Sequence, residues 1–165
     1  GNRPPPPEGA QAAMLPEIRD MVMQRYEARQ RAATPAAAAF LLKMMALEKA
    51  FYDAGGLLVV GTDPTGAGDV VPGYANQRAL QLLMEMGLSA ERAVAVATRN
   101  GAVYLGRLAD IGTVEAGKRA DLVLLEGDPR SDPAAFARMI VVFKDGVGYD
   151  SAKLFASVKG WVGAR

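Results

Sequence analysis

Four apolar residues in a row, Leu57-Leu58-Val59-Val60, end abruptly in Gly61-Thr62-Asp63-Pro64. A run this short, with Gly55-Gly56 before it and a Gly- and Pro-rich loop after it, reads as a strand buried on both faces, as in a parallel sheet. Such a strand cannot stand alone, because both edges and both faces would be uncovered. Burying its four side chains is worth on the order of 6–10 kcal/mol, comparable with the whole stability of a domain. Its neighbours are therefore expected outside this chain, in a longer protein or in a second copy. Parallel α/β folds place their chemistry at the carboxyl ends of strands, which makes Asp63 the candidate catalytic residue. The residues alone leave a second role open, since Asp-Pro is also an ordinary turn-starting pair.

The flanking sequence fits a strand in that position. Thr34-Pro35 marks a helix start, with Thr as cap and Pro just inside. Phe40, Met44, Leu47 and Phe51 then recur at helical spacing, so this helix is expected to pack firmly on something. Gly55-Gly56 stops it, and helix, glycines and apolar strand together form the crossover half of a βαβ unit. Upstream, Pro4 to Pro7 form a polyproline stretch, and residues 1–13 read as a loop. A helix follows over Pro16–Arg31, with Ile18, Met21, Val22 and Tyr26 on one face. Downstream, a helix is predicted over Tyr74–Glu85, ending at Gly87, and another is capped by Ser89. From Ile111 the pattern changes to short apolar runs between turns. Strands are predicted over residues 121–127 and 139–144, the second closed by the hairpin-type pair Asp145-Gly146. Residues 14–106 thus read as helices around one buried strand, 107–150 as a small β unit, and 151–165 as a tail whose Trp161 is either docked or loose.

Composition narrows the chemistry. With 165 residues, half of them hydrophobic, the chain is about one domain with a real core. A net charge of +1 and few aromatics point away from nucleic acid and from anionic membranes. No apolar run approaches the roughly 18 residues of a transmembrane helix. Cysteine is absent, and so is histidine. Such a chain cannot build an ordinary zinc site from its own side chains, and it lacks the commonest general base. Its chemistry must use carboxylates, Lys or Tyr, or be completed from outside. Gly1-Asn2-Arg3-Pro4 shows no signal-peptide pattern, and the polyproline opening suits either an ordinary disordered terminus or an excised piece of a longer chain; localisation is left open.

Two family resemblances meet at the loop after Val60. Asp63-Pro64-Thr65-Gly66-Ala67-Gly68-Asp69 resembles the anion-hole box of ribokinase-like sugar kinases, in which Asp69 would be the base toward a substrate hydroxyl. There the helix follows the box directly, whereas here Pro72-Gly73 intervenes, and the β-rich final third has no place in that fold. The second resemblance covers roughly residues 35–150. Its blocks are Gly55-Gly56 with Leu57–Val60, Gly61-Thr62-Asp63, Pro72-Gly73, Met86-Gly87-Leu88-Ser89, Ala97-Thr98-Arg99-Asn100-Gly101-Ala102 and Leu105-Gly106. The most specific block runs Ile111-Gly112-Thr113, Gly117-Lys118 and Ala120-Asp121-Leu122-Val123, with Gly127-Asp128-Pro129 after it. In this order they resemble the C-terminal part of a metal-dependent amidohydrolase of the imidazolonepropionase-like or prolidase-like kind.

That resemblance implies an α/β fold: the last part of a (β/α)8 TIM-like barrel, strand eight with flanking helices, plus the C-terminal half of a small β-sandwich. It implies hydrolysis of a C–N bond in an amide, cyclic amide or small peptide. Asp63 would be both catalytic residue and metal ligand, carrying a proton from the attacking water to the leaving nitrogen. The cofactor would be a divalent metal, zinc by analogy, with its other ligands outside this chain. An H-x-H and two further histidines are then expected upstream of residue 1. Gln77 and Ala79 stand where many relatives have His and Glu, so nothing catalytic is drawn from that helix. The expected partners are a small-molecule substrate, the rest of the barrel and a possible second copy, and this chain alone is expected to be inactive. Two alternatives are carried: a phosphotransferase using Gly66-Ala67-Gly68-Asp69, and a non-catalytic packing or oligomerisation module. Lys118, Arg119 and Asp121 are expected to belong to a turn and a strand edge.

Overall fold

The computed structural model describes residues 4–64, 70–71 and 73–163. Seven α-helices occur among them: α1 (Glu8–Ala13), α2 (Pro16–Arg31), α3 (Pro35–Asp53), α4 (Tyr74–Glu85), α5 (Ala90–Ala97), α6 (Arg99–Tyr104) and α7 (Ser151–Ser157), with a short 3-10 helix over Pro133–Ala137. A three-stranded antiparallel sheet, β1 (Leu122–Leu125), β2 (Met139–Lys144) and β3 (Val147–Asp150), runs in that order.

Local signals set most of these boundaries. The Thr34 hydroxyl oxygen accepts from the Ala37 N–H at 3.1 Å, with Pro35 in the first helical position. At the other end of α3, the Gly55 N–H donates to the Tyr52 carbonyl and the Gly56 N–H to the Phe51 carbonyl, with Gly55 at φ +85°. This is the paired closure that a left-handed residue permits. In the β2–β3 hairpin, Asp145 and Gly146 take φ +50° and +81°, the two positive values of a tight turn whose twist matches its strands.

Leu57–Val60 departs from expectation. It joins no ladder, because a ladder needs a second backbone to pair with, and none lies beside it among the described residues. Its burial alternates instead of being two-sided. Leu58 and Val60 pack against the cluster of Leu83, Leu88, Ala93 and Val96, whereas Leu57 and Val59 are 43% and 38% exposed. Helices α4 and α5 thus cover one face, and the other face is open. A long-range polar link holds the segment in place: the buried Asn100 of α6 donates from Nδ2 to the Leu58 carbonyl at 2.8 Å.

A second small core joins the two ends of the chain. Ala10, Met14, Val22 and Val71 cluster with Ile18, Tyr74 and Val162. Residues 8–13, read as part of a loop, form α1 instead. The region read as a tail contains α7, which packs on β2 and β3. Gly160 and Val162 then donate to the carbonyls of Ala12 and Ala13, and Leu15 donates to Val162. The Trp161 side chain is exposed although the backbone around it is tied down. The α3 stripe expected to pack firmly is uncovered, with Phe40 66% and Leu47 64% exposed. Val123, Val142 and Tyr149 lie in register across the sheet, on a face where Val123 and Tyr149 are exposed too.

Candidate active site

Asp63 follows the open segment by three residues. The backbone turns sharply there, with Asp63 at φ +42°. That region is sparsely populated by residues other than Gly, although Asp tolerates it better than most. The carboxylate is exposed and makes an interaction of its own. Among the described residues, no group of three or more His, Cys, Asp or Glu side chains could hold a metal ion. Asp63 alone offers one carboxylate, whereas a zinc site of either the structural or the catalytic kind takes at least three protein donors. The described donor set therefore does not fit a metal by itself. Gly66-Ala67-Gly68-Asp69 lie outside the described residues.

Beside Gly61 and Thr62 opens a cavity of about 770 Å³, between α2, α4 and the polyproline stretch. Gln77 and Ala79 line it, along with Tyr74 in the first turn of α4. Tyr74 is the residue that sequence reasoning missed. Its ring stacks on Phe155, with centroids 5.4 Å apart. Its hydroxyl is buried without a hydrogen-bond partner among the described residues, and burial pushes its pKa up. No sequence signal distinguished this Tyr from any other at a helix start.

Lys118, Arg119 and Asp121 form no site. The Asp121 carboxylate accepts from the Asp145 N–H at 2.9 Å and from Lys144 Nζ at 2.7 Å. Arg119 pairs with Asp145 at 3.2 Å, and the Gly146 N–H donates to the Ala120 carbonyl at 3.1 Å. Lys118 Nζ donates to the Thr113 hydroxyl at 2.5 Å. The first cause of Asp121's depressed pKa is the Lys144 hydrogen bond, followed by the Asp145 N–H. The Arg119–Asp121 end of the most specific motif is thus a clamp on the β2–β3 turn, while Lys118 bonds within the preceding turn to Thr113 and Glu115.

Comparison with known proteins adds to this geometry. The family model described as the amidohydrolase family matches residues 42–148. Imidazolonepropionase from Clostridium tetani is 34% identical over 95 residues, which is 56% of this chain and 22% of that protein. A solved candidate prolidase from Bifidobacterium longum superposes with a TM-score of 0.54 at 35% identity, covering 62% of this chain and 25% of that one. The bottromycin amidohydrolase structure covers 93% of this chain and 36% of its own, with a TM-score of 0.63; at 23% identity the likeness is one of fold. The chain thus spans about a quarter or less of the first relatives it matches. The same match takes in the kinase-like box, and the phosphotransferase reading has no support in it. With the family model matching from within α3 into β3, the chain belongs to the amidohydrolase family.

Proposed function

We propose that this chain is the C-terminal part of a metal-dependent hydrolase acting on C–N bonds in an amide, cyclic amide or small peptide. Leu57–Val60 is its eighth barrel strand, and residues 107–150 are the C-terminal half of its β-sandwich. The observation that carries this reading is an apolar segment with one covered face, no ladder and an acidic residue at its exit, inside an amidohydrolase match. The open face of Leu57 and Val59 and the bare α3 stripe are where the remaining barrel would pack.

In this reading Asp63 takes a proton from the attacking water and delivers it to the leaving nitrogen, which a carboxylate does well when the transfer is positioned. A divalent metal, zinc by family analogy, would supply acidity to that water and polarise the carbonyl. Its other ligands come from outside this chain, so the chain alone does not turn over substrate. The test is a side-by-side assay of the full-length protein and this chain on amides, cyclic amides and dipeptides. Activity confined to the full-length protein is expected. Equal activity in the isolated chain would refute the division of the site.

A further inference from the structure

Two positive charges of this chain have nothing to hold. Among the described residues, every other arginine has a hydrogen-bond, ion-pair or electrostatic partner, from Arg19 on Asp20 to Arg138 on Asp132. The side chains of Arg92 in α5 and Arg99 at the start of α6 have none there, and both line one cleft of about 470 Å³. Asp53 lines the same cleft, but Lys49 already donates to both of its carboxylate oxygens, at 2.8 and 2.6 Å. The cleft therefore carries two uncompensated guanidinium groups. It lies away from the candidate proton carrier: Leu57, the first residue of the open segment, lines it, whereas Asp63 follows the segment's other end.

In water such a pair costs little, because solvent and salt screen it. Under the packing proposed above it does not stay in water. Leu57 is 43% exposed, and Phe51, at the end of the bare α3 stripe, is 52% exposed. The Phe51 ring lies against Gly56, which lines the cleft next to Leu57. A surface that covers Leu57 and Phe51 also roofs the cleft and strips water from both guanidinium groups. A buried charge without a partner is costly, and arginine cannot escape the cost by losing its proton. The covering surface must therefore bring negative charge, and a carboxylate matches the guanidinium fork. The chain spans about a quarter or less of the first relatives it matches, which leaves ample polypeptide to supply it. We propose that Arg92 and Arg99 form ion pairs with Asp or Glu side chains of the rest of the protein, closing the cleft at the start of the open segment. This rests on the reading that the remaining barrel packs on Leu57 and α3.

Phenylglyoxal, which modifies accessible guanidinium groups, tests this on the full-length protein, with the modified residues read by mass spectrometry. Arg92 and Arg99 should lose their reactivity in the folded protein and regain it in urea. Reaction at both in the folded protein would overturn the proposal. So would protection that appears only with added inorganic phosphate, which would assign the cleft to a free anion. In full-length Arg92→Lys and Arg99→Lys, which keep the charge, carbodiimide coupling should join the substituted amine to an Asp or Glu outside residues 1–165. Coupling to Asp53 alone, or none, would count against the ion pairs. Amide hydrogen exchange at Leu57–Val60 separates this proposal from the reading beneath it. Slow exchange with reactive arginines would sink the ion pairs and leave the barrel packing standing, whereas fast exchange would sink both.

Discussion

Asn100 holds the open segment to the rest of the chain, and removing its amide tests how the segment is retained. The side chain is 8% exposed, and its 2.8 Å bond ends on the Leu58 carbonyl. Asn100→Ala leaves that carbonyl without its protein donor. A fully buried orphan would cost about 1–3 kcal/mol. Leu58 is only half-buried, so water reaches part of the vacancy and the lower half of that range applies. We expect a loss of about 1–1.5 kcal/mol. In a urea titration followed by circular dichroism, the midpoint should fall with an unchanged slope, since the area exposed on unfolding is unaltered. The melting temperature should drop by about 2–5 °C for a chain of this size. Asn100→Asp should be at least as harmful, because it sets a carboxylate oxygen against the carbonyl. A change below about 0.5 kcal/mol, the scale of an ordinary surface substitution, would show that the segment is held by Leu58 and Val60 packing alone.

Three further outcomes follow from the same contacts. Phe40→Ala should shift the stability of this chain by less than about 0.5 kcal/mol, because the ring is exposed; in the full-length protein the same change should cost about 3 kcal/mol or more, as for a core Phe, and equal small effects in both would mean that nothing covers α3. Asp121 has a depressed folded pKa, so its stabilisation is present above the ordinary carboxylate value of 3.8 and is lost as pH falls below it through the folded value; Asp121→Asn should flatten the acid limb of a stability–pH curve and leave its neutral slope unchanged. Sequencing upstream of residue 1 should reveal an H-x-H after an apolar strand and two further histidines, and a frame without them would favour a non-catalytic packing module.

What could be read in the sequence was what local chemistry decides. The caps and prolines at Thr34-Pro35 and Pro16, the glycines at 55 and 87, and the Asp145-Gly146 turn act within a few residues, and α2, α4 and β2 begin and end where those signals put them. Asp63 at the exit of an apolar run was legible for the same reason. The partners were not. The apolarity of Leu57–Val60 and of the α3 stripe records how much surface is meant to be covered, not which backbone or helix covers it. Helix α1 was hidden because Glu8–Ala13 is too short to carry a periodic face and follows four prolines. The joining of residues 12–15 to 160–162 depends on contacts between the chain ends that no local pattern encodes. Tyr74 was missed because an unpartnered hydroxyl is a property of packing.

We propose that the Asp63 carboxylate moves the proton in a hydrolysis whose other groups lie outside this chain. It is tested most directly by kcat of full-length Asp63→Asn on the best amide substrate, with folding checked by circular dichroism. A loss of about a hundredfold or more is predicted for an isosteric residue that cannot take a proton. A folded Asp63→Asn enzyme with wild-type kcat would contradict it.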